Sequence, residues 1–170
     1  MLHTTFNILR EHGACKEGYD RLARCLGSVK KYGADTPIPL ITILESNGLD
    51  DTLWCLRAVL PEEEVKRDRE ARLLACDYTE HVLHIYEKHH PGDQRPRRTI
   101  EMARRYANGE ATDEELMAAA AWVTVWETMW AAAAWATAAE AAVRATAAAA
   151  VERDWQAHKL QAMLEGTTGD

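Results

Sequence analysis

The chain has 170 residues, of which 47% are apolar and 28% charged, ordinary proportions for one folded domain. That length excludes a multidomain enzyme with a separate cofactor module, and nine Gly and five Pro exclude a collagen-like or linker-dominated chain. A formal net charge of −7 opposes general binding to nucleic acid or to anionic membranes, both of which need basic surface.

The opening MLHTTFNILREHGAC has no basic region followed by an apolar core, because Arg10 and Glu11 interrupt it. It does not read as a signal peptide, and a cytoplasmic protein is expected. Cys15, Cys25, Cys55 and Cys76 lie far apart with no CxxC pair. They read as free buried thiols in a reducing compartment, and no metal or cofactor is expected.

In chain order the first helix runs over Thr5–His12 and is stopped by Gly13. A second is predicted from about Cys15 to Lys31, with Cys15, Tyr19, Leu22 and Leu26 sharing a face. Residues Tyr32–Pro39 (YGADTPIP) form a loop. PLITIL (Pro39–Leu44) has no partner strand, so it reads as a short helix ending at Asn47-Gly48. LDDTLWCLRAVL (Leu49–Leu60) places Leu49, Leu53, Leu56 and Leu60 on one stripe, with Asp50 and Asp51 in the first turn. Pro61 opens a longer helix to about Lys88, with Glu62, Glu63 and Glu64 in its first turn and Leu73, Cys76, Leu83 and Tyr86 as its core stripe. HPGD (His90–Asp93) breaks the chain, and Pro96 restarts a helix over Arg97–Asn108. Thr112 and Glu115 then form a capping box, with Asp113 and Glu114 between them.

From Thr112 to Glu165 there are 54 residues without Gly or Pro. One straight helix of that length would extend about 80 Å, against a radius of gyration of about 15 Å for a globule of this size. Two antiparallel helices with a turn between Trp135 and Thr146 are therefore expected; a long dimerising helix is the alternative. Eighteen of the 33 residues from Ala118 to Ala150 are Ala. Trp122, Trp126 and Trp130 form a ridge that Trp155 rejoins if the helix is continuous, and Trp135 leaves it. The charges at Glu127, Glu140 and Arg144 exclude a membrane span. The ridge is expected to pack on the earlier Leu and Cys stripes, with Trp135 as the candidate anchor for a partner. The fold class is all-α: a multi-helix bundle with long Ala/Trp-rich C-terminal helices. It reads as a single helical domain, residues 1–170, with an N-terminal module (1–48), central helices (49–110) and an Ala-rich hairpin or long helix (111–165).

Few residues point to chemistry. Asp77, His81 and His84, with Glu80 and Glu87 beside them, have a spacing that could hold a metal or a proton-transfer pair, but the same pattern is common on solvated helix faces. Arg95, Arg97, Arg98, Arg104 and Arg105 make the one basic cluster. Residues 91–110 carry five Arg against three acids, while the last sixty carry nine acids against three basic residues. Cover of the Arg helix by neighbouring acids is the simpler account, and an exposed patch for an acidic partner is the other. No phosphate loop, GxSxG elbow or EF-hand loop occurs in the sequence, so a non-enzymatic protein is expected.

LWCLRAV (Leu53–Val59), RLLACDYTEHVL (Arg72–Leu83) and DQRPRRTIEMARRYANGEATDEEL (Asp93–Leu116), followed by Ala/Trp repeats, resemble bacterial and phage immunity proteins of the Ala-rich helical type. The RPRR-x-IE-x-ARRYA-x-GE string (residues 95–110) is the specific part. GACKEGYDRL (Gly13–Leu22) is similar to a module found ahead of them. The resemblance implies a helical protein that binds and neutralises a protein partner by occlusion: a toxin, a nuclease or, for a phage-encoded inhibitor of the anti-CRISPR type, a subunit of a defence complex. A structural homo-oligomer is the further alternative. The candidate partner-binding residues are Glu62, Glu63, Glu64, Asp113, Glu114 and Glu115, with Trp135, Arg95, Arg97 and Arg98.

Overall fold

The structure is a computed structural model that describes residues 1–119 and 145–167. Its described residues form helices and one two-residue strand pair, in the order β1 (His3–Thr4), α1 (Phe6–Glu11), α2 (Lys16–Cys25), α3 (Val29–Tyr32), β2 (Ile38–Pro39), α4 (Leu40–Asn47), α5 (Leu49–Cys55), a 3-10 turn (Pro61–Glu63), α6 (Glu64–His89) and α7 (Arg95–Ala107). Residues 113–119 are helical (α8), as is Ala145–Glu165 (α9). The all-α class stands. The Trp122, Trp126 and Trp130 ridge, Trp135 beside it and the start of the expected turn between Trp135 and Thr146 lie outside the described residues.

The chain divides into two compact units, Met1–Asp68 with Arg153–Asp170, and Arg69–Glu152. In the first, β1 pairs antiparallel with β2 through His3↔Pro39 and Thr4↔Ile38. Thr5 then caps α1, its side chain accepting from Ile8 N at 3.1 Å, which satisfies an otherwise orphaned donor. Leu2, Phe6, Leu22, Ile38, Leu40 and Ile43 are almost wholly buried, and α4 packs against both α5 and α2. Leu160, Met163 and Leu164 of α9 are buried as well; their i, i+3, i+4 spacing puts them on one face.

Several boundaries differ from expectation. The second helix ends at Cys25, not Lys31, because Gly27 turns the chain at φ +87° and the Ser28 hydroxyl caps a separate short helix by accepting from Lys31 N at 3.2 Å. α5 also stops early, at Cys55. Its inward face is not the Leu49/Leu53/Leu56/Leu60 stripe, whose members are half-buried, but Thr52 and Cys55, followed by Ala58 and Val59. A seven-residue helix in a crowded corner buries its smaller side chains, and Thr52 satisfies its hydroxyl by donating to Gly48 O at 2.8 Å. The thiols split: Cys55 and Cys76 are buried, whereas Cys15 and Cys25 are exposed. Cys15 is the N-cap of α2, and its Sγ accepts from Gly18 N at 3.3 Å; that role holds it at the helix end.

In the second unit Cys76, Leu83 and Tyr86 of α6 meet Ile100 of α7, with Ala103 packed on them. The stripe differs from expectation at one position, since Leu74, not Leu73, is buried. The capping box at Thr112 forms in both directions: Thr112 N donates to Glu115 Oε2 at 2.8 Å, and Glu115 N donates to Thr112 Oγ1 at 3.3 Å.

Phe6→Ala should lower the unfolding free energy by about 3–5 kcal/mol, the usual cost of emptying a buried aromatic site. Denaturant unfolding checks this, and a loss below 1 kcal/mol would show that the N-terminal residues do not carry the first unit. Ellman's reagent should modify two thiols of the native chain and four after unfolding. Burial pushes the Cys55 thiol up to about 12, with Asp51 and Cys15 adding to the effect, so that side chain stays an unreactive thiol at neutral pH.

Candidate functional site

The charged face shared by α6 and α7 is the most developed polar arrangement in the second unit. It follows from the sequence between Asp77 and Arg104. On α6, Asp77, Glu80 and Glu87 project at helical spacing beside the Cys76/Leu83/Tyr86 stripe; on α7, Arg97 and Arg104 lie one side of Ile100. Docking the two apolar stripes therefore brings the two charge rows together. Arg104 Nη2 lies 2.7 Å from Asp77 Oδ1 and 2.6 Å from Glu80 Oε2. Arg97 donates to Glu87 Oε1 from both Nε, at 3.1 Å, and Nη2, at 2.8 Å. Cys76 Sγ, beneath them, lies 3.8 Å from Ile100 O, and burial pushes its thiol pKa up.

The loop between the helices is fixed by Asp93. Its carboxylate accepts from Arg95 N, Nε and Nη2 at 3.0, 2.8 and 2.6 Å and from Tyr86 Oη at 2.7 Å. Tyr86 in turn stacks on His90, with ring centroids 4.4 Å apart. The hydrogen bonds from Arg95, and then from Tyr86, hold the Asp93 carboxyl well below the usual carboxylate range.

These contacts decide among the readings of the sequence. Asp77 faces Arg104, His81 Nε2 lies 3.0 Å from Glu152 Oε2, and His84 Nδ1 lies 2.9 Å from His81 O. Asp77, His81 and His84 are thus turned to separate partners. No set of three or more His, Cys, Asp or Glu side chains suited to a metal occurs among the described residues. Among the described residues, Arg95, Arg97 and Arg104 of the cluster are paired with acids of α6 and the α6–α7 loop. Arg105 donates to Glu110 O at 3.0 Å. Arg98 is exposed and makes no ion pair among the described residues.

The candidate acids fall into two groups. Glu63 is committed: its Oε2 accepts from His3 N at 2.5 Å and its Oε1 lies 2.8 Å from His3 Nδ1. Glu115 is used by the capping box. Glu62, Glu64, Asp113 and Glu114 are exposed and make no ion pair among the described residues. Trp135 lies outside those residues. Trp155 is half-buried, with Lys159 Nζ 5.8 Å from its ring centre.

Residues 63–164 match the family described as Imm-5 like putative immunity protein, and the chain belongs to that family. No curated protein and no solved structure matches it. Among the described residues no helix is long and apolar enough to cross a membrane.

Because Asp93 titrates lower in the folded chain than in the unfolded one, its contribution to stability is present above the ordinary carboxylate range. It fades as pH falls from that range toward the depressed folded value, below which it is gone. The carbon-13 carboxyl resonance of Asp93 should therefore still report the ionised form near pH 3.9, where ordinary aspartates are about half protonated. A midpoint at that pH would mean that the Arg95 contact does not persist in solution.

Proposed function

We propose that this protein is a non-enzymatic inhibitor that binds a protein partner and neutralises it by occlusion. Membership of an immunity-protein family over residues 63–164 is the observation that carries the reading. The charged face supports it physically. Arg97 and Arg104 are consumed in intramolecular pairs, whereas Glu62, Glu64, Asp113 and Glu114 are exposed and make no ion pair among the described residues; Arg98 is one of several exposed cations, with Lys16, Lys30, Lys31 and Lys88. Acidic patches of this kind steer a basic partner into place and raise association rates. Glu63 and Glu115 hold the segments that carry these groups, while Arg95 and Arg97 frame the exposed Arg98. Trp135 is kept as a candidate anchor. The same occlusion serves against a toxin, a nuclease or a defence-complex subunit, in the cytoplasm and without a cofactor.

Affinity capture from host lysate with mass spectrometry should recover one stoichiometric protein, whose activity falls to zero as the chain is titrated to equimolar amounts. Failure to inhibit the captured protein would overturn the reading. Glu62→Lys with Glu64→Lys should weaken capture at least tenfold, chiefly through the on-rate, and the loss should shrink as salt is raised; unchanged binding would remove these two acids from the interface. Self-association is the second reading. Val82 and Ile85, one turn apart on α6, are 37% and 51% exposed, which suits contact with a second copy. A dimer by light scattering that persists without any other partner would favour it.

A further inference from the structure

A cavity of about 270 Å³ opens in the first unit between α2, α4 and α5. Its wall is mostly apolar, with Leu9, Leu22, Ile43 and the rings of Tyr19 and Trp54, and its polar side is Asn47, Asp50 and Asp51. It lies wholly within residues 9–55, outside the family match. It is smaller than the roughly 300–1,000 Å³ of a typical small-molecule site and suits one long side chain better than a cofactor.

The polar side was built at a cost. Gly18 sits in the first turn of α2, although Gly is a poorer helix former than Ala. A Cβ there would lie 2.8 Å from Asp51 Oδ2 and 3.3 Å from Cys15 Sγ, so the missing side chain lets the Asp51 carboxylate approach α2. Asn47 Nδ2 fixes that carboxylate, donating to Asp51 Oδ2 at 2.8 Å and to Gly18 O at 2.8 Å. Asp50 is neutralised by Arg153 Nη2, and Cys55 stays a neutral thiol. Asp51, half-buried, makes no ion pair among the described residues; the nearby Arg21 guanidinium is turned to Asn47 O at 3.3 Å and to Glu17. Asp51 is therefore the charge of the cavity wall that no ion pair neutralises, its carboxylate held by Asn47 and the first turn of α5. The two aromatic walls suit a guanidinium: Arg57 lies 5.3 Å from the centre of the Trp54 ring, and Arg10 lies 5.9 Å from that of Tyr19. The chain's own arginines thus already use one face of each ring.

We propose that this cavity receives an arginine side chain of a basic protein partner, its methylene stem against Leu22, Ile43 and Trp54 and its guanidinium on Asp51. The assignment rests on the reading of the protein as a protein-binding inhibitor and adds what the partner must present. An apolar stem with a cationic end matches the wall on both counts, and a planar guanidinium can both stack on an aromatic face and hydrogen-bond a carboxylate, which an ammonium cannot do equally well.

The test is a titration of the full chain with N-acetyl-arginine amide, followed by the Trp54 indole and the Asn47 and Asp51 amides in proton–nitrogen NMR spectra. Saturable shifts confined to α2, α4 and α5 are expected, with at least tenfold weaker binding of the matching citrulline derivative, which has the same shape without the charge. Asp51→Asn should weaken the arginine derivative at least tenfold and leave citrulline unchanged. The citrulline comparison uses only the wild-type chain, so it decides even if the variant folds poorly. Equal binding of the two compounds, tighter binding of the lysine derivative, or shifts elsewhere would overturn the assignment. A chain that captures and inhibits its protein partner yet gives no response to the arginine derivative would overturn the pocket alone and leave the inhibitor reading standing.

Discussion

The first unit depends on residues 2–9 lying inside it. Leu2, Thr4, Thr5, Phe6 and Leu9 are all buried, so the backbone between them loses water and must find partners within the protein. It does so on two sides. Leu2 O accepts from Leu40 N at 2.9 Å and His3 O from Leu60 N at 2.9 Å, while His3 N and its ring are held by Glu63. One extended segment thereby fixes the start of α4, the end of the α5 region and the 3-10 turn from which α6 begins. Removing Phe6 would cost more than its own contacts, because the strand it anchors organises three later elements.

Where a local signal specified an element, the sequence was legible. Thr5 and Gly13 bracket α1, Pro61 opens the turn into α6, Gly92 and Gly109 bracket α7, and the Thr112–Glu115 box forms as its spacing demands. Some misses were decided by tertiary packing and others by a local signal that a regular apolar pattern masked. The β1–β2 pair is two residues long and has no period to read. In α5, Leu at i, i+4, i+7 made the most regular stripe, yet the neighbouring Thr52 and Cys55 are the side chains small enough for the space against α4. The second helix was read through Gly27 because the i+11 Leu26 prolonged the pattern, although one residue at positive φ ends a helix. Cys15 fitted an apolar face but serves as a cap.

Charge behaved differently. The five Arg and the acids of α6 were visible in sequence, and so was their tendency to cancel; which acids would do so was not. Once Ile100 and Ala103 dock on Cys76, Leu83 and Tyr86, the flanking rows of opposite sign face one another. The pairs are partly exposed, so each is worth little for stability. Their larger effect is on what remains. Pairing takes up Arg95, Arg97 and Arg104 of α7, while Glu62, Glu64, Asp113 and Glu114 stay exposed and make no ion pair among the described residues, in a chain whose net charge is −7.

The family match begins at residue 63 and the cavity ends at residue 55, so the two halves of the functional reading rest on separate stretches of chain. A general attraction for basic partners comes from exposed acids, which are easily exchanged and screened by salt. Choosing one partner needs a contact whose loss cannot be compensated, such as a desolvated carboxylate in an apolar cavity that only a correctly placed cation satisfies. The half-buried Asp51 carboxylate, held by Asn47 beside Gly18, is the contact we propose for that role. On that proposal the target would be set by the N-terminal residues while the α6–α7 scaffold is kept, because Asp51 lies outside residues 63–164, which match the family.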